Sequence, residues 1–168
     1  MEKIYYASFA SPFLKKVFVA STDKGVCMVD YLTSEKAFLK RLRERFVGDI
    51  VRDEGRNRAV LSQLKRYLAG KLRHFDCALD FRGTPFEKRV WRALAKIPYG
   101  ETRSYKQIAQ VIGHPKACRA VGNANGHNPL PLIIPCHRVI ASNGGLGGFG
   151  HGLQAKRQLL NFEKAHGL

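Results

Sequence analysis

The sequence predicts an α+β chain in two parts: a small α/β module over residues 1–80 and a mostly helical unit over residues 81–168. Three observations carry this. β-branched and aromatic residues cluster over residues 3–9 and 14–31. Apolar residues at helical spacing follow in two stretches. The second half then opens on a strong helix-start signal and continues as short helices broken by Gly and Pro.

The elements follow in order. KIYYASF and KKVFVAS read as strands, and Asp23-Lys24-Gly25 marks a turn before the β-patterned VCMVDYL. Ser34 is placed to cap a helix that carries Phe38, Leu39, Leu42 and Phe46 on one face. A second helix, from about Asn57 to Ala69, turns Val60, Leu61, Leu64 and Leu68 inward and stops at Gly70. No chemistry-bearing pattern stands out in this half. Residues 71–83 read as a connection.

Thr84-Pro85-Phe86-Glu87 joins a capping Thr, a Pro at the first helical position and a Glu three residues after the cap. Phe86, Val90, Trp91 and Leu94 give that helix its apolar face, and Pro98-Tyr99-Gly100 ends it. A short helix from Ser104 to Ile112, closed by Gly113, precedes a Pro115 turn and another helix over about Lys116 to Ala124. Two short helices joined by a tight turn suit a helix-turn-helix, with an ordinary helical hairpin as the other reading. Leu132-Ile133-Ile134-Pro135 reads as a short apolar strand delivering Cys136, and Val139-Ile140 returns to β pattern. A glycine-rich loop over residues 143–150 precedes a last helix from about Gly152 to Ala165.

Charge narrows the partners. Lys and Arg number 29 against 13 Asp and Glu, a formal net charge of +16. Residues 1–80 hold 16 basic and 10 acidic residues; residues 81–168 hold 13 basic and only three acidic, Glu87, Glu101 and Glu163. A half this poor in carboxylates suits a polyanion, with nucleic acid first; a solubility charge is the plainer reading. No apolar run approaches the roughly 20 residues of a membrane span. The start, MEKIYYASFASPF, lacks a basic stretch followed by an apolar one, so no signal peptide is expected. Cys27, Cys77, Cys118 and Cys136 form no C-x-x-C pair, which fits reduced thiols in the cytoplasm and argues against a zinc site or a disulfide framework.

The helix reading KACRAVGNANG exposes a flat face of Ala, Gly and Asn around one large cation, Arg119. A flat face suits close approach to a groove, and the single Arg suits insertion into a base stack; a phosphate contact or a surface ion pair would serve as well. Cys136 stands between Pro135 and His137-Arg138. That basic setting is expected to lower the thiol's pKa and raise its thiolate fraction. His137 is placed to accept its proton, and Glu163 is the only acid after Glu101 that can orient the ring. A buried Cys beside a His would need no such role. The glycine-rich loop matches neither a phosphate-binding nor a dinucleotide-binding pattern.

Pro135-Cys136-His137-Arg138-Val139, preceded by Asn128-Pro129 and an apolar run, closely resembles the active-site motif of the O6-alkylguanine-DNA alkyltransferases. Ser104-Tyr105 resembles the start of that family's helix-turn-helix, and Arg119-Ala120-Val121-Gly122 its recognition helix. The similarity is dense from about Thr84 to Glu163. It implies a ribonuclease H-like first domain and a winged-helix second domain, a monomer bound to the minor groove of double-stranded DNA, and a flipped alkylated guanine. Cys136 would take the alkyl group, irreversibly and once per molecule, from O6-alkylguanine and from O4-alkylthymine. His137 and Glu163 would handle the thiol proton, and Tyr105 would support the leaving base. Arg119, with Ala120, Val121, Gly122, Asn125 and Ser104, would contact DNA. Asn128, Val139, Gly150, Phe149 and Pro131 would border the base. The resemblance implies no cofactor and no metal. A non-catalytic binder of alkylated DNA on the same fold is the alternative.

Overall fold

The β-rich first half folds as a four-stranded sheet in the computed structural model, which describes residues 1–167. Its strands are β1 (Lys3–Ala10), β2 (Lys16–Thr22), β3 (Gly25–Tyr31) and β4 (Asp49–Arg52), in the order β3-β2-β1-β4. β2 pairs antiparallel with both β1 and β3, and β4 runs parallel to β1 with Lys3 opposite Asp49 and Tyr6 opposite Arg52. Every residue of β2 after Lys16 is buried, so both faces of this central strand are covered. Ile4, Phe18, Ala20, Cys27 and Met28 form one core with Phe38, Leu42 and Phe46, which belong to α1 (Glu35–Arg45) and its C-terminal cap. Ser34 caps α1 as expected, accepting from the Ala37 N–H at 3.1 Å. α2 (Arg58–Leu68) buries Val60, Leu61, Leu64, Tyr67 and Leu68 and is followed by Gly70 at φ +75°.

The chain folds as two units, Met1–Phe81 and a second that begins at Arg82. In the second unit α3 (Pro85–Ala95) starts on the expected capping box: the Glu87 N–H donates to Thr84 Oγ1 at 3.1 Å and the Thr84 N–H to Glu87 Oε1 at 2.9 Å. Val90, Trp91 and Leu94 are buried. Trp91 Nε1 donates to the Ala124 carbonyl at 2.9 Å, which ties α3 to α5 (Cys118–Gly126). Between them α4 (Tyr105–Val111) opens on a second capping box, Ser104 with Gln107. A two-stranded parallel ladder joins β5 (Arg103–Ser104) to β6 (Val139–Ile140), with Arg103 opposite Val139 and Ser104 opposite Ile140. α6 (Leu153–His166) closes the unit. Among the described residues no helix is long and apolar enough to cross a membrane.

One expected strand is not a strand. Residues 132–135 form a buried irregular turn with Leu132 at φ +75°. Its polar groups are satisfied locally, which removes the need for a ladder. The Ile134 N–H donates to the Leu130 carbonyl at 2.8 Å. Asn128 Nδ2 donates to the Ile134 carbonyl at 2.8 Å, and Asn128 Oδ1 accepts from the Leu130 N–H at 3.0 Å. A single 3₁₀ turn, Cys136–Arg138, follows and leads directly into β6.

Candidate active site

The Asn128-braced turn presents Cys136 at a cavity of about 600 Å³, within the range of small-molecule sites. Tyr105, Arg119, Gly122, Asn125, Asn128, Pro131, Phe149 and Gly150 line it with Cys136. The Cys136 residue is only 5 % exposed and borders that space. Arg119 is exposed, and Ala120 is exposed on the same helix without lining the cavity.

Four of the expected contact residues have a role inside the fold. Val121 is fully buried and belongs to the core, because α5 must turn one side toward its neighbours. Asn125 is buried too: it donates from Nδ2 to the Cys136 carbonyl at 3.4 Å, so it supports the cysteine's turn from the cavity wall. Val139 is fully buried in β6 and does not line the cavity. Ser104 spends its hydroxyl as the cap of α4, accepting from the Gln107 N–H at 3.0 Å.

His137 and Glu163 come together as expected, in a wholly buried network. The His137 Nε2–Glu163 Oε2 distance is 2.7 Å. Arg138 joins them, with Nε donating to Glu163 Oε1 at 2.8 Å, an Nη to Oε2 at 2.9 Å and the other Nη to the Ile97 carbonyl at 2.7 Å. The Gly100 N–H adds a fourth donor to the carboxylate, at 3.1 Å from Oε1. Burial pushes the Glu163 carboxyl up, but hydrogen bonds from His137 and Arg138 overcome it and hold the group well below the usual carboxylate range. Burial lowers the pKa of His137 against the pull of Glu163, which keeps the ring neutral and able to accept a proton near pH 7.

The thiol departs from the sequence-based expectation. Burial pushes Cys136 up to about 11, outweighing the Asn128 side chain and the charge of Lys156, both of which lower it. The basic neighbours exist, but desolvation of the thiolate is the larger effect. At rest the group is a thiol, and forming the nucleophile requires a base.

The glycine-rich loop folds over Tyr105. Tyr105 Oη donates to the Gly148 carbonyl at 3.4 Å. Gly147 sits at φ +71°, and a Cβ there would stand 2.9 Å from the Tyr105 ring, so only glycine fits. Burial and the nearby Cys136 raise the pKa of Tyr105, keeping it a phenol and hence a donor. Sequence reasoning missed three residues here. Arg138 was read only as a charge beside the thiol; Lys156, which the sequence did not single out, is fully buried; and Cys118 puts a second thiol on the cavity wall. The adjacency of Arg138 to His137 was the one signal available, since nothing local marks the other two.

Residues 85–165 match the family model described as 6-O-methylguanine DNA methyltransferase, DNA binding domain. A methylated-DNA–protein-cysteine methyltransferase of Methanosarcina barkeri is 44 % identical over 161 residues, covering 96 % of this chain and 98 % of that protein. One from Mycobacterium bovis is 57 % identical over 113 residues, covering 67 % of this chain and 68 % of that protein. The crystal structure of Mycobacterium tuberculosis OGT in complex with DNA superposes with a TM-score of 0.85 at 42 % identity, covering 96 % of this chain and 94 % of that one.

Proposed function

The chain belongs to the methylated-DNA–protein-cysteine methyltransferases, and from that premise we propose that it binds double-stranded DNA and moves the alkyl group of O6-alkylguanine onto Cys136, once per molecule. The observation that carries the assignment is the opening of Cys136 onto a base-sized cavity beside a buried His137–Glu163 pair. O4-alkylthymine presents the same alkyl–oxygen bond and is a second substrate.

The steps follow from the residues. The α4–α5 helix-turn-helix sits in the minor groove, where the small side chains of α5 permit close approach. The alkylated base leaves the stack, as chemistry on a base requires, and Arg119 occupies the vacated space. Neutral His137, held by Glu163, takes the Cys136 proton through a water. The thiolate displaces at the alkyl carbon: a C–S bond forms, the C–O6 bond breaks, and the electron pair leaves with guanine. Tyr105 donates toward the base as that charge develops, and a ring nitrogen of guanine ends with the proton. The thioether does not hydrolyse, so the protein is consumed.

The test incubates the protein with duplex DNA carrying labelled O6-methylguanine and maps the label. One label per chain, on the peptide containing Cys136, is the expected result. Repeated turnover, or tight binding with no label transferred, refutes the reading, and the second outcome would establish the non-catalytic binder.

Arg119→Ala separates flipping from chemistry. It is expected to slow transfer from the paired lesion by about 100-fold and reaction with free O6-benzylguanine by less than about threefold, since a free base needs no extrusion. Equal losses on the two substrates would remove Arg119 from the flipping step.

A further inference from the structure

Lys156, in the first turn of α6, is fully buried, whereas lysine ordinarily keeps its ammonium in water. Among the described residues no carboxylate pairs with it. Nζ donates to the Gly148 carbonyl at 3.1 Å and lies 5.8 and 5.7 Å from the ring centroids of Tyr105 and Phe149. The ionisable groups that face it are the Cys136 thiol, the His137 imidazole and the Tyr105 phenol, none of them negative at neutral pH. Burial lowers its pKa to about 8, with Cys136 pulling the other way, so it remains mostly charged at pH 7.

A buried charge without a resident counter-ion is costly, and apolar replacements of such groups often leave a protein as stable or more so. The cost is recovered if an anion forms beside it during the reaction, because an interaction present only on the way to the transition state accelerates the chemical step. Cys136 is the group that becomes anionic. We propose that Lys156 is a positioning residue for alkyl transfer, acting as counter-charge to the Cys136 thiolate while the same ammonium holds the Gly148 carbonyl and folds the loop over residues 147–150 against Tyr105. This rests on Cys136 being the alkyl acceptor. The thiol proton leaves toward His137 and negative charge appears on Sγ near the ammonium. As the C–S bond forms and the C–O6 bond breaks, that charge passes to guanine and is neutralised there by a proton. Lys156 keeps its three protons throughout, so its partner exists only between deprotonation and displacement.

Lys156→Met removes the charge and nearly keeps the length. The experiment measures four quantities on parent, Lys156→Met and Lys156→Arg: label transfer from O6-methylguanine duplex, affinity for the same duplex, thermal melting, and the pH dependence of Cys136 alkylation by iodoacetamide. For Lys156→Met the melting temperature is expected to hold or rise and DNA affinity to stay within about twofold. Transfer at pH 7 is expected to slow by about 30- to 100-fold. The iodoacetamide profile should move to higher pH, with about tenfold less thiolate at a given pH. Lys156→Arg should restore the profile, a result that a purely structural lysine would not give. An unchanged profile in Lys156→Met, or a melting temperature far below the parent's, overturns the proposal for Lys156 alone. A parent protein that takes no label on Cys136 overturns the acceptor reading and this proposal with it.

Discussion

Alkyl uptake is expected to vanish in Cys136→Ser, a fall on the order of 10⁴-fold or more, while the protein stays folded and still binds alkylated DNA. Displacement at an sp³ carbon favours a soft, polarisable nucleophile. The thiol already needs His137 to lose its proton from a buried position that pushes it up to about 11. A serine hydroxyl, with a far higher pKa and a harder oxygen, gains nothing from a base poised for a thiol. Mass spectrometry after exposure to O6-methylguanine duplex, beside a binding titration on the same DNA, checks both halves. Cavity-lining Cys118 serves as the internal control, because persistent label in Cys136→Ser would locate the acceptor there and end the assignment.

Glu163→Ala is expected to lower the unfolding free energy by about 3–5 kcal/mol. The carboxylate accepts from His137, from Arg138 twice and from the Gly100 N–H, and its removal leaves the Arg138 guanidinium buried without its counter-charge. The sign of the pH dependence follows from both shifts. Glu163 titrates lower in the folded than in the unfolded chain, so its contribution is complete above roughly pH 4–5 and is lost as pH falls. His137 is also lowered, so below about pH 6.5 the unfolded chain gains a proton that the folded chain does not, and stability falls on that account too. Denaturant unfolding of the parent from pH 8 to pH 2 should therefore show stability declining with acid, first through His137 below about pH 6.5 and more steeply below about pH 4–5, where Glu163 adds its part. The variant should lose the lower component. A parent protein whose stability rises on acidification would show that the network does not hold its proton inventory this way.

What the sequence made legible and what it hid divide along the range of the interactions. Ser34 and Thr84 cap helices as expected, and Ser104 caps a third, because a cap is written within four residues. The His137–Glu163 pairing was also readable, since only one downstream acid was available. β4 was not: Asp49–Arg52 has just Ile50 and Val51 as apolar residues, and pairing with β1, more than 40 positions away, is what makes it a strand. Residues 132–135 misled in the opposite way, because an apolar run records burial and leaves backbone geometry open. There Asn128 decides, by capturing both ends of the turn. The thiol's acidity failed for a related reason: charged neighbours are visible in sequence order, whereas the depth that opposes them is a property of the folded unit. Lys156 was invisible as a site residue because its type, taken alone, belongs to the surface.

The short β5–β6 ladder fixes more than two strands. Ser104 is opposite Ile140, so Tyr105 follows one rung directly, while Cys136 lies three residues before Val139 on the other side. The two groups that would face the same base are thus clamped to a common bracket, and neither can swing away without breaking it. A catalyst that recycles needs slack somewhere to let go of what it has made. A molecule spent in a single event can do without it, and its rigidity then serves only to hold aim for one shot.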